Sequence, residues 1–179
     1  MKALVIYESM YGNTHLVAEA IGAGLRTIGE AVVVSVHKAD AGLVESADLL
    51  VVGGPTHVHG MSRASTREAA VTAAEQSDSG LTVDPEAQGS GVREWLESLD
   101  KLDAPAAAFD TRVDVSAVLS GRASKGIAKA LRQHGCSLIT DPESFLVTKE
   151  THLEPHEEAH ARRWGAELAA LVRAASKAH

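Results

Sequence analysis

Cysteine is almost absent, with Cys136 the only one in 179 residues. A single thiol builds neither an intrachain disulfide framework nor a multi-cysteine metal site, and that usage suits a reducing, cytoplasmic compartment. Aromatic side chains make up only 3% of the chain, so few are available to stack on a planar ligand. Basic residues are outnumbered, 17 Lys plus Arg against 24 Asp plus Glu, for a formal charge of −7. That balance argues against nucleic acid and anionic membranes as partners and leaves small molecules or basic protein faces. Long apolar runs are missing as well. The first, ALVIY (3–7), stops at Glu8 and is too short for a signal sequence or a membrane span. No GxGxxG follows any apolar run, which leaves out a resident dinucleotide site of that kind. Repeats and low-complexity tracts are also lacking. With 45% hydrophobic residues, the chain has enough for one packed core, and a single domain over 1–179 is expected.

What is there alternates. ALVIY (3–7), AVVVSV (31–36), DLLVVGG (48–54), PAAAFDT (105–111) and SFLVT (144–148) are apolar runs of strand length. Helical spacing falls between and after them, at 14–29, 62–76, 92–102, 120–135 and 155–178, the last with Pro155 placed to be its first residue. SDSGLTVDPEAQGSG (77–91) reads as loop. Five short strands alternating with helices call for an α/β, doubly wound, five-stranded parallel sheet, because parallel strands need crossover connections. Ligands in such sheets bind beyond the carboxyl ends of the strands. Residues 8–14, 54–61, 110–116 and 149–154 are therefore the segments expected to carry a site.

The first of these is YESMYGNTH (7–15), a strand-to-helix seam. Ser9, Asn13 and Thr14 offer side-chain donors, Gly12 allows a tight turn, and the helix start supplies free N–H groups at its positive end. Together they make an anion cradle without a lysine, suited to a monophosphate more than to the triphosphate of a GK[ST] loop. The alternative is that Thr14 or Asn13 simply caps the helix. GGPTHVHGMS (53–62) follows the third strand and combines two glycines, a proline, a threonine and two histidines, a composition that lets a flat ligand approach the backbone.

On these two stretches the chain resembles the flavodoxin family. SMYGNT (9–14) is similar to that family's phosphate loop, [ST]-x-[ST]-G-x-T, with Tyr11 where Ser or Thr is usual, and GGPTHVHG (53–60) is similar to its first flavin-flanking loop. The SMYG variant also resembles flavodoxin-like quinone reductases. The resemblance implies strand order 2-1-3-4-5 and non-covalent FMN. Carried over by position, Ser9, Met10, Tyr11, Gly12, Asn13 and Thr14 would wrap the phosphate. Pro55, Thr56, His57 and Gly60 would lie along the ring system, with Gly60 the candidate for a peptide that flips on reduction. FDTRVDVS (109–116) would form the second flanking loop, with Asp110, Thr111 and Arg112 toward the pyrimidine end. Neither flanking loop supplies the stacking aromatic that flavodoxins usually carry. Arg112 either reaches the flavin and raises its potential, favouring two-electron reductase chemistry, or pairs with Asp110 or Asp114 at the surface.

Eight of the acidic residues, Glu75, Asp78, Asp84, Glu86, Glu94, Glu97, Asp100 and Asp103, crowd between 75 and 103 against Arg93 and Lys101. An acidic loop insertion at about 77–91 is expected to be a lid, a docking face for a basic redox partner, or a solvated segment without a role. His152, His156 and His160 recur every four residues, but Pro155 starts the helix after His152, and no metal site is expected. Two function classes stay open. One is an FMN redox protein, exchanging electrons with a partner protein or acting as a reductase on a small quinone or nicotinamide. The other is a flavodoxin-like binding module that has lost its cofactor. In neither is a catalytic side chain expected, because the cofactor carries the chemistry.

Overall fold

The computed structural model describes residues 1–76, 80–87 and 89–177. Ser77, Asp78, Ser79 and Gln88 of the expected insertion, and Ala178 of the expected closing helix, lie outside them. The main strands are β1 (Lys2–Tyr7), β2 (Glu30–Ser35), β3 (Leu49–His57), β5 (Pro105–Val113) and β7 (Glu143–Val147). All five pair in parallel, in the order β2-β1-β3-β5 with β7 beside β5. This is the expected doubly wound order. Two short strands complete the sheet: β4 (Gly60–Met61), antiparallel to the end of β3, and β6 (Ser137–Leu138), which pairs with the start of β5.

Period-two alternation divides the core. Ala3, Val5, Tyr7, Leu49, Val51, Ala107 and Phe109 face α1 (Asn13–Leu25) and α7 (Glu157–Lys177). Leu4, Ile6, Leu50, Val52, Ala106 and Ala108 face α4 (Val92–Glu97) and α6 (Ala123–Gln133). Central strands covered on both faces must be apolar at every position, which is why they read as unbroken runs. Smaller helices, α2 (Ala41–Glu45), α3 (Ala64–Ala74) and α5 (Ala117–Ser120), fill the connections.

Two expectations are corrected. The helix expected at 92–102 ends at Glu97, and Leu99 and Leu102 instead pack on the core from the connection to β5. Helix α7 begins at Glu157, after Pro155, because His156 takes a left-handed φ of 74°. The expected last strand is present as β7, and a further short strand, β6, precedes it; residues 139–142 separate the two, and Pro142 has no N–H to give to a ladder there.

Strands β3 and β4 join through Val58–His59, with φ values of 44° and 71°. Positive φ at both central residues matches the twist of a tight hairpin, yet valine is a costly residue to place there. Among the described residues no helix is long and apolar enough to cross a membrane.

Candidate functional site

The loop from Glu8 to Gly12 leaves β1 and enters α1. Gly12 is the N-cap of α1 with φ 88°, and a Cβ there would meet no heavy atom within 4 Å. Its N–H donates to Ser9 Oγ at 3.1 Å. No side chain caps α1, so the reading of Thr14 or Asn13 as a simple cap is overturned. Asn13 Nδ2 donates to the Thr151 carbonyl at 2.8 Å, and Thr14 Oγ1 lies 2.7 Å from Thr111 Oγ1 in a buried hydroxyl pair. Tyr11 donates its hydroxyl to the Ala70 carbonyl at 2.9 Å. The loop's side chains thus pin it to the strand ends and to α3. Leu16 N–H makes the first backbone bond of α1, to the Gly12 carbonyl, so the N–H groups of Asn13, Thr14 and His15 lack intrahelical partners and define an anion-seeking end.

Beside this end lies a cavity of about 180 Å³ at the carboxyl ends of β1, β3 and β5. Of the expected residues, Met10, Tyr11, Asn13, Thr14, Pro55, Thr56, His57, Thr111 and Arg112 line it. Ser9, Gly12, Gly60 and Asp110 do not. Ser9 and Gly12 shape the loop behind it, and Gly60 lines a second cavity on the far side of His57. Asp110 is fully buried, and its Oδ2 accepts the Ser124 N–H at 2.7 Å while Thr56 Oγ1 accepts the Ala123 N–H at 2.9 Å. The two side chains cap α6, so Asp110 faces that helix and not the cavity. Arg112 pairs with neither Asp110 nor Asp114. Its Nη1 donates to the Val115 carbonyl at 2.7 Å, and its Nε is buried without a partner.

Val113, Val147 and Thr151 also line the cavity without having been singled out. The segment around Thr151 lay within the strand-end windows, but nothing local marks the carbonyl that receives Asn13. Phe109 points into the core, edge-on to Phe145 and Trp164.

Polar groups close the site from beneath. Glu8, 5% exposed, accepts the Val92 N–H on Oε2 at 2.8 Å and leaves Oε1 unpaired. Arg67 donates to Ser62 Oγ and lies 3.2 Å from Glu94. Burial alone would raise the Glu94 carboxyl, but hydrogen bonds from Arg67 and the Gly91 N–H hold it below the usual carboxylate range. Burial pushes the His57 imidazole below its ordinary value, with Glu8 opposing and Arg67 adding to the shift.

The acidic segment turns inward where it is described. Asp84 N–H donates to the Met10 carbonyl at 2.8 Å, and Glu86 accepts from Ser35 and Lys38, each at 2.7 Å. Ala87 and Val83 pack against Met10 and Ala70. These residues buttress the seam. His160 lies 3.0 Å from Glu157, and among the described residues no group of three or more His, Cys, Asp or Glu is placed to hold a metal ion. Cys136 is buried, and burial pushes its thiol up, which makes it a packing residue.

Solved structures share this architecture. A flavodoxin from the domain Archaea is 23% identical, with 97% of this chain and 99% of that one covered at a TM-score of 0.66. Flavodoxin 1 from Bacillus cereus is 19% identical over 95% and 98% of the two chains, at 0.65. A flavodoxin, WrbA-like protein from Agrobacterium tumefaciens is 20% identical over 96% and 97%, at 0.57. No curated protein matches the sequence significantly. The family model for Flavodoxin matches residues 5–109, more than half of the chain and the stretch that holds the end of β1, the SMYGNT seam and the 53–60 loop. The chain belongs to the flavodoxin family.

Proposed function

We infer that this chain binds FMN non-covalently and works as an electron-transfer flavoprotein. The observation that supports this most is the start of α1: three N–H groups without intrahelical partners, behind a left-handed Gly12 with open space before it and a strand-end cavity alongside. The donor set suits a phosphate monoester, because neutral N–H groups at a helix start neutralise part of a dianion without a lysine. On this reading Ser9, Met10, Tyr11, Gly12, Asn13 and Thr14 hold the phosphate. Pro55, Thr56, His57, Thr111 and Arg112 flank the ring system, with Gly60 in the adjoining turn. The buried Arg112 Nε, without a partner among the described residues, is a donor for an acceptor edge of that ring. Asp110 serves from behind, fixing α6 and the strand end.

FMN would supply reversible one- and two-electron transfer; the protein's part is to hold it, exclude water and set its surroundings. The whole chain is read as one domain, with Val83, Asp84 and Ala87 of the acidic insertion bracing the phosphate loop. A soluble redox protein, a small quinone or a nicotinamide is the partner.

One observation favours a cofactor-free binding module instead. Ser9, Tyr11, Asn13 and Thr14 are already hydrogen-bonded within the protein, so the loop holds its shape by itself. A visible spectrum of the purified protein, after FMN is added and the excess removed by gel filtration, tests the two. A retained flavin spectrum is expected; a colourless protein at micromolar concentration would overturn the FMN reading. Photoreduction of the loaded protein then separates a one-electron carrier from a two-electron reductase.

A further inference from the structure

On the far side of His57 lies a second cavity, of about 420 Å³, within the range of small-molecule sites. It is lined by the β3–β4 hairpin, Arg93 of α4 and the first turn of α3. Its lining contains His57, His59, Arg63 and Arg93 and no carboxylate. In a chain of net charge −7, this is a local reversal of sign.

The two arginines are held differently. Arg93 donates from Nε to the Ser62 carbonyl at 3.1 Å and from Nη2 to the Met61 carbonyl at 3.0 Å. Both acceptors are neutral, so its charge is positioned and not cancelled. Arg63, exposed at the N-cap of α3, makes no ion pair among the described residues. Glu94 is engaged by Arg67 and the Gly91 N–H, while Glu8, whose charge reaches His57, accepts the Val92 N–H on Oε2 alone. Helix α3 adds to the field: its first turn has no acidic side chain, and its backbone bonds begin only at Thr66. The N–H of Ser65, which lines the cavity, is thereby left for a ligand. His57, held neutral near pH 7 by its burial, offers one ring donor and one acceptor between the two cavities.

We propose that this cavity is an anion site that takes the phosphate-bearing part of a small organic molecule, of the nucleoside-diphosphate kind, with Arg63, Arg93 and the start of α3 holding the phosphates. Two guanidinium groups and a backbone donor suit the several oxygens of a diphosphate better than a single carboxylate. His57 lines both cavities, so a molecule anchored here extends past it toward the flavin cavity. Binding does not depend on the flavin; only a role as redox substrate rests on the FMN reading.

The test is a titration of ¹⁵N-labelled protein with ADP, pyrophosphate and adenosine, with amide shifts followed residue by residue. ADP and pyrophosphate are expected to move Gly60, Ser65 and Thr66, less so as salt is raised, while adenosine leaves them in place. Arg63→Gln, at an exposed side chain, is expected to weaken ADP by about tenfold or more, the loss of one charge-assisted hydrogen bond. Shifts confined to Gly12–His15 would show the phosphates in the other cradle and overturn the proposal. So would adenosine binding as well as ADP, or an affinity unchanged in Arg63→Gln. Repeating the titration with FMN present separates the two readings. Failure to retain FMN with the ADP shifts intact removes the redox role alone, and loss of the ADP shifts with flavin retained removes the anion site alone.

Discussion

Thr14 and Thr111 meet as two hydroxyls 2.7 Å apart, buried between α1 and β5. Replacing one by valine preserves the shape but strands the other hydroxyl, a loss of roughly 1–3 kcal/mol. Thr14→Val is therefore expected to lower the urea unfolding free energy by that amount, and the double variant Thr14→Val with Thr111→Val to recover part of it. Additive losses in the double variant would mean that the pair is not coupled. Both threonines were legible as site residues because each falls in a strand-end segment that resembles the flavodoxin loops, SMYGNT and FDT. That they touch each other was not, since they are 97 positions apart. Asp110 shows the converse. Its position beside Thr111 suggested a ligand contact, but alternation along β5 turns neighbouring side chains to opposite faces, and Asp110 is spent on α6.

Apolar periodicity located every long helix and all five main strands, because each must bury a face and the burial dictates the spacing. It missed elements too short to show a period, α2, α5, β4 and β6, and it overran at 92–102, where Leu99 and Leu102 keep helical spacing without being helical. How closely two elements approach was also hidden. Helices α1 and α7 meet at Gly24 and Gly165, where a Cβ at Gly165 would lie 2.2 Å from the Ile21 carbonyl oxygen and one at Gly24 2.1 Å from that of Arg162. Nothing in the helical spacing marks either glycine, yet the contact sets backbone on backbone. Gly165→Ala is expected to push the helices apart and cost about 1–3 kcal/mol, as overpacking does. A thermal or urea midpoint equal to that of the unmodified protein would show that α7 can shift freely. Because α1 begins at the anion cradle, the same variant is expected to weaken FMN as well.

For the molecule as a whole, charge and pH are the accessible handles. Burial lowers the His57 imidazole in the folded state from its ordinary 6.5, so the unfolded chain takes up the proton first. Stability is then complete above that ordinary value and falls as pH drops from it toward the lowered one, where the loss levels off. His57→Gln, which cannot titrate, is expected to flatten this part of the profile in urea midpoints taken between about pH 8 and 5. An unchanged slope would assign it to other histidines. The sheet itself carries a further consequence. One edge is β2, continuous over Glu30–Ser35; the other is broken into β6 and β7 around Pro142. A broken edge gives a foreign strand too few consecutive partners to zip onto, so self-association of partly opened molecules is steered to the β2 side. The interruption at Pro142 is thus what keeps that side of the protein from templating aggregates.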